Sequence, residues 1–268
     1  MEIVEGIVFN KLKGIIRNAG EILRDGFYNG NKKIDEKKSR ELVTNYDYKS
    51  EKYIINQLKQ YDIPIIAEET KKNHSMEISK YWVIDPIDGT NNFAFGIPHF
   101  SVVIALIWDN EIVFGIIYDP VKNEIFHSIK NQGAFLNEKK VKVSSRKQLS
   151  KAMVATGFSY NRGEKNGYNN ISNFKKLALK ARGIRRLGSA ALDLAYVGAG
   201  RYDVYWEEGL KIWDMAAGKL FVEESGGKIT DLNGKKWLFN TNNIVASNGI
   251  IHEKVISNLE KYNGRNWF

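Results

Sequence analysis

The chain has 268 residues, 43% hydrophobic and 26% charged, with a net charge of +9 and no cysteine. This length fits one large domain or two closely joined ones with ample apolar content for a core, and the lack of cysteine excludes disulfides, thiolate-held zinc and a Cys nucleophile. No apolar run reaches the ~18 residues of a membrane span, and Met1 to Gly20 carries Glu2 and Glu5 in an amphipathic rather than secretory pattern, so a cytoplasmic protein without a membrane partner is expected.

The positive charge suits nucleic acid, a membrane surface or an anionic small molecule. Much of it sits in Lys32-Lys33, Lys37-Lys38, Lys139-Lys140, Lys175-Lys176 and Arg185-Arg186, interleaved with acids and without a basic arm or an aromatic-basic RNA motif. That pattern predicts a solvated surface and no nucleic-acid partner. His74, His99, His127 and His252 lack metal-ligand spacing and read as surface or core residues.

In chain order, Ile3, Ile7, Val8, Leu12, Ile15, Ile16, Ala19, Ile22 and Leu23 recur at helical spacing and predict a first helix ending near Gly26. Phe27 to Arg40, rich in Gly, Asn and Lys, predicts a surface hairpin or loop before Leu42-Val43-Thr44. A second helical pattern follows Asp47, which suits a helix cap as well as a functional acid. Ile63 to Ala67 reads as a short strand ending in Glu68-Glu69-Thr70. The apolar run Trp82-Val83-Ile84 stops at Asp85-Pro86-Ile87-Asp88-Gly89-Thr90-Asn91, where Pro86 and Gly89 predict a bend.

Two carboxylates three residues apart on a tight turn can share one small space. Each then disfavours ionisation of the other, and a shared hard cation such as Mg²⁺ keeps both charged. The plainer reading is a turn whose aspartates cap the next helix. Two neighbouring strands that both deliver acids at their C-terminal ends favour a ligand site, since α/β proteins assemble such sites there.

Ser101 to Ile107, Ile112 to Tyr118, Glu124 to Ile129 and Lys140 to Ser144 read as an antiparallel meander. After a boundary near Leu149, strands alternate with helices: a strand over Ala152 to Thr156, helices around Asn170 to Ala181 and Ala190 to Val197, and a strand over Tyr202 to Trp206. The chain thus reads as an α+β part over 1–149 and an α/β part over 150–268. A helix opening at Ile212 places Asp214 in its first turn, where a carboxylate favours the helix dipole. A strand over Ile244 to Ser247 and a final helix close the sequence.

Taken together, Val43 to Asp47, Ala67 to Thr70, Asp85 to Asn91, Leu187-Gly188-Ser189-Ala190-Ala191 and Trp213-Asp214-Met215-Ala216-Ala217-Gly218 resemble the inositol monophosphatase family of Mg²⁺-dependent, lithium-sensitive phosphatases. The resemblance covers nearly the whole chain and implies an α/β fold layered as an αβαβα sandwich, usually a homodimer. It implies two to three Mg²⁺ per subunit: one on Glu68, Asp85 and the carbonyl of Ile87, a second on Asp85, Asp88 and Asp214, and a weaker third near Glu68. Thr90 and Asp47 would orient and deprotonate the attacking water, with no phosphoenzyme. The N–H groups of Gly89 and Thr90 suit a phosphate oxygen. By the same resemblance Ser189, Ala190 and Glu207 would bind the polyol, although Glu207 also reads as a surface carboxylate after a strand. Arg162, Arg185 or Arg186 would meet a second phosphate if there is one.

Family members cleave inositol monophosphates, fructose 1,6-bisphosphate or 3′-phosphoadenosine 5′-phosphate. Inositol monophosphate is the expected substrate here, with fructose 1,6-bisphosphate as a second; the alternatives are a 3′(2′),5′-bisphosphate nucleotidase and a nucleic-acid-binding regulatory protein with a residual site. An aspartyl-phosphate mechanism does not fit, because two residues rather than one separate Asp85 from Asp88. No Gly-x₄-Gly-Lys-Ser/Thr or Gly-x-Ser-x-Gly is present.

Overall fold

The computed structural model describes residues 7–38, 40–70, 79–162 and 170–261, so Ile3 and His74 fall outside the described residues. Helix α1 (Ile7–Tyr28) buries Leu12, Ile15, Ile16, Ala19 and Leu23 as its spacing requires. Strands β1 (Ile34–Lys38) and β2 (Glu41–Thr44) form an antiparallel hairpin. Helix α2 (Asn45–Leu58) begins before Asp47 rather than after it. Thr44 accounts for the difference: its hydroxyl accepts the Tyr46 N–H at 3.1 Å while Asp47 accepts the Thr44 N–H at 2.7 Å, a capping box that places Asp47 in the first turn.

Strands β3 (Ile65–Ala67) and β4 (Lys80–Asp88) run parallel, Ala67 opposite Ile84. The expected bend after Ile84 is instead a continuation: β4 runs on through both aspartates, with a bulge between Asp85 and Asp88. Pro86, which has no N–H to give to a ladder, sits in that bulge. A short helix, α3 (Thr90–Ala94), follows. Then β5 (Ser101–Trp108), β6 (Glu111–Asp119), β7 (Glu124–Ile129), β8 (Gly133–Leu136) and β9 (Lys139–Val141) form the meander and complete a sheet of order β3-β4-β5-β6-β7-β8-β9 among the described residues.

The remaining elements are β10 (Met153–Thr156), α4 (Ile171–Ala178), β11 (Gly183–Arg185), α5 (Ala190–Gly198), β12 (Val204–Glu208), α6 (Ile212–Glu224), β13 (Lys228–Thr230), β14 (Asn243–Ser247) and α7 (His252–Ile256). Their sheet has the order β11-β10-β12-β14-β13, with β10 parallel to both neighbours. Glu207 does not follow a strand. It lies within β12, opposite Ile244 of β14.

Alternation along the larger sheet explains the layering. Trp82, Ile84, Val102, Ile104 and Leu106 meet Leu12, Ile16, Ile54 and Leu58 of α1 and α2, whereas Val83, Val103, Ala105 and Ile107 share a core with α5 and α6. Both faces are covered, which is why these strands read as continuous apolar runs. Val154, Val204, Trp206 and Val245 pack with Leu177 of α4 and Val255 of α7 on the far side of the smaller sheet. The result is an αβαβα sandwich with α5 and α6 in its central layer.

Helix α6 lies very close to the larger sheet, because β6 offers it a glycine: a Cβ built on Gly115 would stand 2.8 Å from the Cα of Ala217 and 3.0 Å from its carbonyl oxygen. Backbone cannot swing aside as a side-chain tip can. Gly115→Ala is therefore expected to cost about 1–3 kcal/mol through overpacking, read as a lower denaturation midpoint at unchanged m-value. An unchanged midpoint would show that α6 is not held at this distance.

Candidate active site

The bulged end of β4 and the first turn of α6 converge. Oxygens of Asp85, Asp88 and Asp214 lie within 4.8 Å of one another, and Glu68, directly after β3, is near enough to Asp85 for each carboxyl to act on the other. Burial pushes the carboxyl groups up from their ordinary values, and mutual repulsion adds to it: Glu68, Asp88 and Asp214 act on Asp85, while Glu68 and then Asp88 act on Asp214. Among the described residues no lysine or arginine forms an ion pair with Asp85, Asp88 or Asp214. With Asp85 and Asp88 buried, Asp214 and Glu68 half-buried, and only hard oxygen donors among them, the set fits Mg²⁺.

The three aspartates are each fixed by donors on the backbone. Asp85 Oδ1 accepts the Ile87 N–H at 3.0 Å, and Asp214 Oδ2 accepts the Lys211 N–H at 2.6 Å. Asp88 is held most heavily: it accepts from Ala190 N–H at 3.1 Å, Ala191 N–H at 3.0 Å, Ser101 Oγ at 3.3 Å and Ser189 Oγ. Asp88 thus sits at the N-terminus of α5, not of α3, which follows it in sequence. Ser189 and Ala190, read from sequence as polyol contacts, are placed against Asp88.

Asp47 and Thr90 also meet. Thr90 Oγ1 lies 3.0 Å from Asp47 Oδ1 and 2.9 Å from the Ile87 carbonyl, and Asp47 Oδ2 takes the Thr44 N–H and hydroxyl, each at 2.7 Å. Burial raises the Asp47 carboxyl to about 6 against the Thr44 hydrogen bonds, which lower it.

Lys37, from one of the basic pairs expected to be solvated, instead reaches from the β1–β2 hairpin to Glu68 at 3.1 Å and to Glu69. Burial would lower its ammonium, but the two carboxylates outweigh that and raise it. Tyr160 is a second unforeseen neighbour: although 36% exposed, its phenol is pushed up first by partial desolvation and then by Asp214, Asp88 and Glu68. Only the long-range placement of the hairpin and of the segment after β10 brings these residues in, so no local signal marks them.

On the β12 side, Tyr205 Oη donates to Glu207 Oε2 at 2.5 Å. Burial lifts Glu207 to about 7, opposed by the Tyr205 hydrogen bond and by the charge of Arg186. The other two arginines are turned elsewhere. Arg162 Nη1 donates to the Ser159 carbonyl and Arg185 Nη1 to the Ile184 carbonyl, both at 3.0 Å.

The sequence model of the inositol monophosphatase family matches residues 8–263. Nus factor SuhB of Pseudomonas aeruginosa is 39% identical over 234 residues, covering 85% of this chain and 86% of that protein. Inositol-1-monophosphatase of Caulobacter vibrioides is 36% identical over 253 residues, covering 92% and 95%. The crystal structure of extragenic suppressor protein SuhB from Bartonella henselae matches with a TM-score of 0.89 at 37% identity, over 96% of this chain and 99% of that one.

Raised carboxyl pKa values set a sign for stability. Without a cation the folded chain keeps protons that the unfolded chain releases, so this contribution is present below the ordinary carboxylate range and is lost as pH rises through the raised values. His99 and His252, held neutral by burial, give the opposite slope at lower pH. As pH rises above neutrality, where the two histidines no longer contribute, Tm in EDTA is therefore expected to fall and the gain from Mg²⁺ to grow. Asp214→Asn should raise the EDTA Tm by roughly 2–4 °C, equivalent to about 1 kcal/mol, while losing most of the Mg²⁺ gain. Thermal unfolding checks both; an Asp214→Asn protein with the full Mg²⁺ gain would remove Asp214 from the cation site.

Proposed function

The chain belongs to the inositol monophosphatase family, and we propose that it is a Mg²⁺-dependent phosphomonoesterase whose substrates are inositol monophosphate and fructose 1,6-bisphosphate. The observation that carries this reading is the convergence of Glu68, Asp85, Asp88 and Asp214 beside the Asp47–Thr90 pair. The names SuhB and inositol-1-monophosphatase occur among relatives of similar identity, 39% and 36%, so identity alone does not choose between them. A complete acid set next to a water-positioning pair favours hydrolysis.

Glu68, Asp85 and the Ile87 carbonyl would hold one Mg²⁺, and Asp85, Asp88 and Asp214 another, with a weaker ion near Glu68. When bound, the ions lower the pKa of a water and neutralise charge on the leaving oxygen. The protein's own part is proton handling and orientation. Thr90 Oγ1 has Asp47 Oδ1 as an acceptor, so it can pass its proton there while taking one from water on its own lone pair. Asp47 is suited to that role because its second oxygen is already occupied by Thr44 and because its pKa of about 6 lies near neutrality. Gly89 and Thr90 N–H groups would orient the phosphate, and Ser189, Ala190 and Glu207 would line the alcohol side, with Glu207 accepting from a hydroxyl.

Thr90→Ala is expected to lower kcat by about 10²–10⁴-fold, the range for a positioned proton-transfer group, with little change in calorimetric Mg²⁺ affinity. An equal loss in both would make the residue structural. Of the three candidate arginines, Arg186 is the one whose charge acts on Glu207. Arg186→Ala should raise KM for fructose 1,6-bisphosphate about tenfold more than KM for inositol 1-phosphate, as loss of one charge-assisted contact would. Equal shifts for the two esters would leave a plain monophosphatase.

A further inference from the structure

The Glu207 carboxylate lies against a backbone position that has no room for any side chain. A Cβ built on Gly157 would stand 1.9 Å from Glu207 Oε2 and 2.2 Å from both Cδ and Oε1. Gly157 follows the last residue of β10, and in the parallel pairing of β10 with β12 Thr156 is opposite Trp206, so Gly157 comes to lie beside Glu207 near the C-terminal end of β12.

A buried polar clamp holds these two strand ends together. Asn170 precedes α4 at its N-cap position, yet its side chain makes no capping bond to that helix. It turns inward and is 2% exposed. Its Nδ2 donates to Thr156 Oγ1 and to the Gly157 carbonyl, both at 2.7 Å, while its Oδ1 accepts from Trp206 Nε1 at 2.7 Å. Thr156 Oγ1 in turn donates to the Trp206 carbonyl at 2.6 Å. An asparagine at this position would ordinarily satisfy the first N–H groups of its own helix. Here its bonds fall instead on Gly157 itself and on Thr156 and Trp206, the residues that precede Gly157 and Glu207.

We propose that Gly157, clamped by Asn170, is the positioning residue that sets where the Glu207 carboxylate stands, and so determines selectivity for phosphate esters whose alcohol carries a further hydroxyl. This rests on the phosphomonoesterase reading above, in which Glu207 accepts from such a hydroxyl. The steric argument is specific in its outcome. The atoms that would meet a new methyl group belong to the tip of a flexible side chain, so alanine at 157 moves the carboxylate off its Tyr205 hydrogen bond and leaves the fold in place. Glu207 would also lose part of the burial that lifts it to about 7.

The experiment compares inositol 1-phosphate with p-nitrophenyl phosphate, which has no second hydroxyl, using the Mg²⁺-loaded enzyme and the Gly157→Ala, Glu207→Gln and combined variants. Gly157→Ala is expected to cut the ratio of kcat/KM for the two esters about tenfold, as loss of one hydrogen bond to a charged group would, mainly through KM of the inositol ester. Glu207→Gln should cut the ratio to a similar extent, and the combined variant no further, because Gly157 acts only through Glu207. Losses that multiply in the combined variant, or an equal loss for both esters in Gly157→Ala, overturn the proposal. A crystal structure of Gly157→Ala decides the placement independently of activity: the carboxylate is expected to leave Tyr205, and finding it in its original position overturns the proposal. A parent enzyme that hydrolyses neither ester removes the phosphomonoesterase reading and with it the selectivity role, while that crystal structure still decides whether Gly157 positions Glu207.

Discussion

Four carboxyl groups, Glu68, Asp85, Asp88 and Asp214, share one desolvated space, and the surrounding structure is arranged to tolerate them. Repulsion at such distances in a medium of low effective dielectric is worth several kcal/mol unless donors or a cation offset it. The donors come from separate parts of the chain. The β4 bulge supplies the Ile87 N–H, the first turn of α6 the Lys211 N–H, and the start of α5 two N–H groups and a hydroxyl. Lys37 adds an ammonium on the Glu68 side. The acids thereby tie together elements that lie more than a hundred residues apart.

That arrangement demands short distances in the central layer. The helix carrying Asp214 and the helix whose N-terminus holds Asp88 pack on each other between two sheets, and both are rich in small residues: Ala190, Ala191, Ala195, Ala216 and Ala217 are all buried. Small side chains let backbone approach backbone, at the expense of apolar area per residue, which larger residues of the flanking strands such as Phe126 and Tyr205 supply. The packing link and the chemical link are therefore the same. A helix displaced by even one methyl group carries its acid with it.

The sequence marked the acids more clearly than the path of the backbone that carries them. Glu68, Asp85 and Asp88 stood out as acids delivered at the ends of neighbouring apolar runs, whereas Asp214, which by position alone suits a helix dipole, joined them only through the resemblance. The path of the backbone through them was not legible. Pro86 and Gly89 signalled a bend, yet β4 continues to Asp88 because Ser101 of β5 pairs with it, a contact set by long-range register. Glu207 read as lying beyond a strand for the same reason: its place in β12 is fixed by Ile244, a residue remote in sequence. Lys37 and Asn170 carried no local signal at all, since an ordinary lysine in a hairpin and an ordinary asparagine before a helix become specific only through partners in distant strands.

Sequence reading also posed a choice that the structure dissolves, between aspartates that cap helices and aspartates that form a site. Asp47 and Asp214 do both. Asp47 gives one oxygen to the Thr44 backbone and presents the other to Thr90, and Asp214 gives one oxygen to the Lys211 N–H while its carboxylate lies within reach of Asp85 and Asp88. A carboxylate has two oxygens and about four acceptor directions, so a backbone donor that fixes one of them immobilises the group without exhausting it. Helix caps are thus a ready means of holding an acid rigid at a site where its other oxygen has work to do. Asp88 extends this logic. With both oxygens anchored by the start of α5, by its cap Ser189 and by Ser101 of β5, it is the acid held by the most donors, whereas among the described residues Asp85 and Asp214 each keep an oxygen free of backbone donors.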